Sequence, residues 1–516
     1  MLGSPQASPQ GSVYKGFLTH GGFFVPQQTL VKRLTSTGYA QLLKKLTITC
    51  FQKVGAPKIA KMYTIAVLPG TNLQCVYLPR TLMKILGKFL TIDNLLTPIQ
   101  YVTIPLTLEL YENQNLITEY LQNLVFTPQR IAAGTATCML NLRAGQGKTF
   151  VAAGLISRLG LKCLYVVPMR PLAVQAVRDL KSCFDPKMIG RFDKKKKSEN
   201  VSITVIVINS AIMQTAEFFQ QFGLVILDEV HMYCTEHRKA IFNLTTHCVL
   251  GMSATTEDRR DKFDPIAQKA LAFDGIIRAE NIPGFTYEDI NFNCHARIVA
   301  YNGPPEYTQN LTHEATGRVF THYMHNQFIS DPYRMQLFIA ELTRLYDWRD
   351  ANDNKHHIYI FAEEVEILRL AKAAFEKSLR KDILDDVDAP ELIDEVDEDN
   401  KTDKTDTKMF TGKQKETEIT NIILHGRVLF ATFGFASTGT SILKMSAIMF
   451  LTPRRANMKQ VCARILRRGS NVDIPRIVVD LVDNKTLLRA QLGERKLAYD
   501  FYGFTTEYEK INYDKL

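Results

Sequence analysis

Short apolar runs separated by amphipathic stretches set the rhythm of residues 106–260, with runs at 138–142, 163–167, 203–208, 224–227 and 248–252. β-Branched runs of this length without clean polar alternation predict strands covered on both faces, and the helical stretches between them predict parallel βαβ units. The rhythm returns after residue 330, at 357–361, 427–431, 447–451 and 476–480, and predicts a second α/β domain. Between the two lies a stretch rich in Pro, Gly and Asn (Pro283-Gly284, Asn302 to Pro305) that reads as a connection. Residues 384–408 are an acidic run, read as a surface insertion within the second domain, because repelling carboxylates with few large apolar residues cannot bury a core. In residues 1–105, alternation at 46–51 and 63–68 predicts strands, and 29–45 and 80–90 predict helices, which together make a small α+β domain. The expected organisation is an accessory domain over 1–105, a first α/β domain over 106–300, and a linker with the second α/β domain over 301–516.

A length of 516 residues agrees with this division, at about 150 residues per domain, and excludes a single small module. With 46% apolar and 22% charged residues, most of the chain is expected to pack. The formal charge of +10 is unevenly placed: residues 1–105 hold eleven basic side chains and one acid, Asp93, while the remainder balances. That polarity predicts an N-terminal surface facing a phosphate backbone, with a solvated basic face as the alternative. Nine cysteines stand singly with no C-x-x-C pair, which fits neither a zinc site nor a disulfide framework and points to reduced thiols. No apolar run reaches the roughly 18 residues needed to span a bilayer. A soluble, unsecreted protein is expected.

The sharpest local chemistry is Arg143-Ala144-Gly145-Gln146-Gly147-Lys148-Thr149, placed after an apolar strand and opening an amphipathic helix. Glycines let the backbone curl so that N–H groups and the helix N-terminus cradle a polyphosphate. Lys148 can then reach the β- and γ-phosphates, and the Thr149 hydroxyl can ligate Mg²⁺. Leu142 stands where the strict phosphate-loop pattern has its first glycine. About 80 residues on, the strand ending at Leu227 runs into Asp228-Glu229-Val230-His231. A carboxylate at the end of a neighbouring parallel strand can hold the metal of a nucleoside triphosphate, and a second can deprotonate the attacking water. Asp228 is the metal candidate and Glu229 the base candidate. Ser253-Ala254-Thr255 ends another strand and could link nucleotide state to domain motion. Farther along, Gln460 to Arg468 reads as a helix with Arg464 and Arg467 on one face, suited to stabilise charge on a transferring γ-phosphoryl group.

The order and spacing of these segments resemble a superfamily 2 helicase of the DExH type. Tyr111-Glu-Asn-Gln114 is similar to the glutamine region that reads adenine, 143–149 to motif I, 167–175 to motif Ia, 228–231 to motif II and 253–255 to motif III. Phe361-Ala-Glu363 is similar to motif IV, 437–442 to motif V and 460–467 to motif VI, so the likeness spans about 370 residues. Ser437 to Ile442, Thr452 to Gln460 and Arg467-Arg-Gly-Ser look closest to helicases of large nucleocytoplasmic DNA viruses, the group holding those of African swine fever virus and the poxviral transcript-release type. Tyr77-Leu-Pro79-Arg80 is similar to a short element of that group.

The resemblance implies two RecA-like domains with ATP and Mg²⁺ held between them and a nucleic-acid strand, DNA favoured and RNA the alternative, running over both. It implies Gln114, Gly145, Gly147, Lys148, Thr149 and Gly439 around nucleotide, with Lys148, Asp228, Glu229, Gln460, Arg464 and Arg467 in hydrolysis. Arg170, Thr432 and Ser437 would meet the nucleic-acid backbone. Ala144, Thr440 and Ala463 depart from the usual residues of motifs I, V and VI without removing a reacting group. The implied setting is viral transcription in the host cytoplasm, with the transcription machinery as partner and packaging in the virion open. A nucleic-acid-binding structural protein without useful hydrolysis is the competing reading.

Overall fold

The computed structural model describes residues 14–516 apart from 51–56, 69–70, 144, 193–200, 245, 256–262, 288–290, 313, 315–316, 318, 386–405, 412–413, 415, 437–441 and 455–456. Contacts divide the chain into two units, Met1–Glu288 and Asp289–Leu516.

In the first unit, seven strands form one sheet in the order Ile189–Arg191, Ile203–Val207, Cys163–Val167, Leu224–Leu227, Cys248–Ser253, Ala136–Asn141 and Ile276–Arg278, every neighbouring pair parallel. The strands Cys163–Val167 and Leu224–Leu227 are buried at every position, as a parallel sheet covered on both faces requires. One face packs under the helices Glu112–Leu124, Lys148–Leu159 and Arg170–Cys183, through residues such as Leu121, Leu155 and Leu180. Gly154 lets the first two of these helices meet, since a Cβ there would lie 2.6 Å from Leu110 and 2.8 Å from Thr118.

The opposite face is covered by the helix Pro265–Leu271 and by the basic N-terminal segment. That segment forms a five-stranded sheet, Thr64–Val67, Gln74–Leu78, Gly22–Pro26, Lys15–Thr19 and Thr91–Asn94, antiparallel except for its last pair. Its helix Gln27–Lys45 is broken at Thr35, where φ is 63°. Leu18, Phe23, Val25 and Leu86 share one apolar cluster with Met139, Leu164, Val225 and Val249 of the parallel sheet. The segment is therefore built onto the back of the sheet. Arg80 fastens it there: buried, it donates to the carbonyls of Gly134 at 2.5 Å, Thr246 at 2.6 Å and His247 at 3.2 Å.

The second unit holds another seven-stranded, all-parallel sheet, in the order Thr407–Phe410, Val428–Thr432, Ile358–Ala362, Ala447–Phe450, Arg476–Asp483, Cys294–Asn302 and Thr505–Asn512. Apolar clusters line both faces. A fully buried ion pair, Arg495 Nε to Asp480 Oδ2 at 2.7 Å, ties the helix Leu492–Phe501 to a central strand, and the Tyr499 hydroxyl donates to the same oxygen. The two parallel sheets are RecA-like domains in tandem behind a small α+β sheet, as expected from the sequence.

Several local expectations change. Cys294–Asn302, within the stretch read as a connection, is an inner strand of the second sheet. Thr407 and Lys408, at the end of the acidic run, lie in an edge strand, while residues 386–405 of that run fall outside the described residues. The segment at 80–90 holds only a 3₁₀ turn and a four-residue helix, Met83–Leu86. All eight cysteines whose side chains are described are buried free thiols. No described helix is long and apolar enough to cross a membrane.

Replacing Arg80 by Met should lower the stability of the chain by about 3 kcal/mol or more, because buried carbonyls lose their donor. Chemical denaturation of the purified full chain, compared with a Lys88→Met control at an exposed site, checks this, and equal stabilities would contradict it.

Candidate active site

The carboxyl ends of parallel strands leave a crevice where ligands can bind, and the first sheet gathers its polar residues there. After Ala136–Asn141 the chain turns through Gly145, at φ 86°, and Gly147, at φ 78°, into the helix beginning at Lys148. Gly147 has a second constraint: a Cβ there would lie 2.3 Å from Gln114 Nε2. Gln114 is buried near the start of the helix Glu112–Leu124, and its Oε1 accepts from the Tyr111 amide at 3.2 Å. The residue expected to read adenine thus lies directly against the phosphate-loop glycine.

Asp228 and Glu229 follow the strand Leu224–Leu227, one strand removed from Ala136–Asn141. The Asp228 amide donates to Val166 O at 3.0 Å, and its Oδ1 accepts from the Glu229 amide at 3.0 Å. Glu229 takes a left-handed backbone, φ 48° and ψ 48°, a conformation rare for a residue with a side chain. Its buried carboxylate meets Lys148 Nζ at 3.2 Å through Oε1 and His231 Nδ1 at 3.4 Å through Oε2. His231 Nδ1 also lies 2.8 Å from Ser253 Oγ, which donates to Thr255 O at 2.8 Å and accepts from the Thr255 amide at 3.0 Å. Ser253 is the last residue of Cys248–Ser253, the strand between the other two. These contacts join residues of the first unit.

Removal from water, and Glu229 beside it, push the Asp228 carboxyl above its ordinary range, while Lys148 opposes the shift. With both carboxylates ionised, the pocket carries one more negative than positive charge against the Lys148 ammonium. Thr149 adds a neutral oxygen at the start of the same helix. Oxygen donors of this kind suit Mg²⁺, which keeps several waters and takes one or two protein ligands beside phosphate. The residues present fit a magnesium ion held by Thr149 and Asp228.

Beyond these, Arg143 stacks 3.8 Å above the Tyr287 ring, whose hydroxyl donates to Glu280 at 2.9 Å. Neither Tyr287 nor Glu280 belongs to a recognisable motif, so spacing gave no signal for them. Arg170 is exposed at the first position of the helix Arg170–Cys183, at the same strand-end side of the sheet.

In the second unit the expected residues also follow strand ends. Thr432 closes Val428–Thr432, and Glu363 follows Ile358–Ala362, its carboxylate bound by Arg454 at 2.8 and 3.0 Å. Ser437 and Gly439 lie outside the described residues. Gln460 and Arg464 are buried and Arg467 is half-buried. The helix that holds Gln460 spans only Met458–Cys462, so Arg464 and Arg467 sit in the turns beyond it and not on one helix face. Burial pushes the Tyr359 phenol up to about 12, and the guanidinium groups of Arg464 and Arg467 both pull against that shift.

Residues 107–258 match the family model described as Type III restriction enzyme, res subunit. A protein of African swine fever virus (strain Badajoz 1971 Vero-adapted), named as an ATP-dependent RNA helicase, is 27% identical over 90% of this chain and 87% of its own length. A protein of Invertebrate iridescent virus 6, named as a helicase, is 24% identical over 70% of this chain and 75% of its own. Among solved structures, S. cerevisiae Dbp5 bound to RNA and ADP BeF3 covers 77% of this chain and 90% of that chain at 13% identity and a TM-score of 0.49. At that score the RecA-like assignment rests on strand order and register instead.

Gly147→Ala should destabilise the chain by at least about 1–2 kcal/mol from backbone strain alone. Adding Gln114→Ala should recover only the steric part of the loss. Denaturation of the two single variants and the double variant separates the contributions; full recovery in the double variant would contradict the strained-backbone account. With the helicase segments in order along the chain and similarity over nine-tenths of its length to a viral protein named as an ATP-dependent RNA helicase, the chain is similar to superfamily 2 helicases and is an enzyme of the nucleic-acid-dependent ATPase class.

Proposed function

We propose that the pocket at Lys148, Thr149, Asp228 and Glu229 hydrolyses ATP to move the chain along DNA in viral transcription. The observation that carries the catalytic part is the contact of Lys148 with Glu229, beside Asp228, at the carboxyl edge of a parallel sheet. The turn of Gly145 and Gly147 and the N-terminus of the following helix offer N–H groups to a polyphosphate. Lys148 would bind the β- and γ-phosphates, and Thr149 and Asp228 would hold Mg²⁺. When bound, that ion would neutralise charge developing on the phosphate oxygens.

Lys148 and Glu229 hold one another at 3.2 Å. Polyphosphate oxygens compete for the ammonium group, and a carboxylate that has lost its cationic partner is the stronger base. Glu229 would then take the proton of the attacking water, held in place by the left-handed turn at its own backbone. His231, tied to Ser253, would keep the second carboxylate oxygen oriented. Gln460, Arg464 and Arg467 of the second unit would meet the γ-phosphoryl group, the arginines stabilising its charge. Gln114 would read adenine, with Gly439 near nucleotide. Arg170, Thr432 and Ser437 would contact the sugar-phosphate backbone, which positions a strand without reading its sequence.

A domain division at 1–105, 106–300 and 301–516 belongs to the same reading, with the basic first segment adding phosphate contacts. Host cytoplasm, with the viral transcription machinery as partner, is the setting it suggests. An RNA substrate is favoured by one observation, the name carried by the African swine fever virus relative.

Lys148→Ala and Glu229→Gln should each lower ATP turnover by a factor of about 10² or more, the scale of a lost general base. Hydrolysis by wild type and both variants without nucleic acid, with single-stranded DNA, duplex DNA or RNA, and at low and raised salt provides the test. Stimulation by DNA that weakens with salt supports the DNA reading. Stimulation by RNA alone moves the substrate to RNA, and ordinary turnover by both variants overturns the catalytic assignment.

A further inference from the structure

The strand Cys163–Val167 reads CLYVV, and the hydroxyl of Tyr165 is its one strongly polar side-chain group. Tyr165 is fully buried. Successive side chains on a strand alternate between faces, and Tyr165 packs on the face that carries Cys163, Val167, Leu224 and Ile226. Register sets Tyr165 opposite Ile226 and Val166 opposite Leu227, so Asp228, one residue farther, is the diagonal neighbour of Tyr165. Diagonal neighbours in a sheet lie within reach of an aromatic side chain. The helix Lys148–Leu159 packs on this face through Val151, Ala152 and Leu155, with Thr149 in its first turn. Tyr165 thus shares its face of the sheet with the start of the helix that holds Thr149 and stands diagonal to Asp228, the two residues assigned above to Mg²⁺.

Electrostatics agree with this placement. Burial raises the phenol well above its ordinary range, Asp228 raises it further, and Thr149 opposes the rise. Tyr165 in turn favours the charged form of Asp228. The hydroxyl itself is buried and closes no well-formed hydrogen bond. Buried hydroxyls without a partner are uncommon and carry a desolvation cost. A phenylalanine would fill the same space in the core without that cost.

We propose that Tyr165 is a positioning residue for the divalent cation of the ATP complex: with the ion bound, its hydroxyl donates to an Asp228 oxygen turned away from the ion and accepts a hydrogen bond from the Thr149 hydroxyl. Both bonds orient lone pairs toward the ion. Asp228 is fixed in rotation by one, and Thr149 presents its free lone pair through the other, as outer-shell partners do for metal ligands generally. The hydroxyl acts through these two side chains and touches neither ATP nor the attacking water. The inference rests on the reading of Thr149 and Asp228 as the residues that hold Mg²⁺.

The test compares full-length wild type with Tyr165→Phe, and with Asp228→Asn as the reference for a lost ligand. A fluorescent, non-hydrolysable ATP analogue is bound at equilibrium in EDTA and across a Mg²⁺ titration, and thermal melting is recorded without nucleotide. Tyr165→Phe should melt at or above the wild-type temperature and bind the analogue in EDTA as wild type does. Its Mg²⁺ midpoint should rise by about tenfold, the scale of one lost charge-assisted hydrogen bond. An unchanged Mg²⁺ midpoint overturns the inference, and so does an equal loss of binding with and without Mg²⁺, which marks a packing role only. A lowered melting temperature also overturns it, because the hydroxyl would then be satisfied before any ligand arrives. If wild type itself shows no Mg²⁺-dependent binding, the assignment of Thr149 and Asp228 fails and this inference fails with it; a normal wild-type response beside an unchanged variant removes Tyr165 alone.

Discussion

Two carboxylates in successive positions have to face different partners, and the left-handed backbone at Glu229 is what separates them. In a continuing strand they would point to opposite faces of the sheet, one into each apolar layer. With φ at 48°, Asp228 keeps the face of Ile226 and looks toward Tyr165, while Glu229 turns to Lys148 and His231. A non-glycine residue held in this region costs about 1–2 kcal/mol, and the surrounding contacts have to sustain it. They do so from three strands: Lys148 follows Ala136–Asn141, His231 follows Leu224–Leu227, and Ser253 ends the strand between them. The order of the parallel sheet is therefore what places a carboxylate, an ammonium group and a hydroxyl around one turn.

How much of this can be read from sequence depends on how much of each element's stability is local. Strands buried on both faces declare themselves as apolar runs, and the expected runs at 163–167 and 224–227 coincide with observed strands. Edge strands do not. Thr505–Asn512 is exposed at nearly every position, and its identity comes from pairing along Cys294–Asn302. Arg297 on that inner strand reaches Glu507 at 3.2 Å and also binds Glu509, while Glu341 holds it from a helix. An alternation of Thr, Glu, Tyr and Lys carries no such information without its partner. Cys294–Asn302 was hidden by the Pro and Gly around it, which mark turns on either side and were read as a single connection. The helix expected through Arg467 stops at Cys462 because the next amides reach back only three residues, Arg464 to Val461 and Ile465 to Cys462, the tighter winding that ends helices.

The site divides along the same line. Residues whose chemistry depends on backbone geometry next in sequence, such as Gly147, Lys148 and Asp228, could be found from spacing. Residues that act from another strand could not, and Tyr165 is the plain case. Within an apolar run, a tyrosine reads as one more core aromatic, and only the register against Leu224–Leu227 sets it diagonal to Asp228. The available signal was the chemistry of the phenol itself: buried tyrosine hydroxyls usually find a partner, so a tyrosine inside a fully buried strand raises the question of what its hydroxyl meets. His231 and Ser253 were each legible as motif residues, but their contact, 22 residues apart in sequence, was not.

The same distinction changes the meaning of the positive charge. Among the basic side chains of the first 105 residues, Arg80 is buried and directed to three carbonyls, so it fastens the segment to the parallel sheet and offers nothing to a phosphate. Burial lowers its guanidinium only to about 10, so it stays cationic at neutral pH. Arg476 repeats the arrangement in the second unit, donating to the carbonyls of Ile465 and Asn471 and lying 4.0 Å over the Phe292 ring. These arginines count in the formal charge of +10 but are structural cations, used where a fork of donors can satisfy several carbonyls at once. Lysines are different: Lys15 and Lys84 stay exposed at the rim of the segment, each beside a carboxylate, Asp93 and Asp274. A basic excess counted from sequence is therefore an upper bound on what a phosphate backbone can meet, and the burial of each arginine, more than the total, decides how much of it reaches the surface.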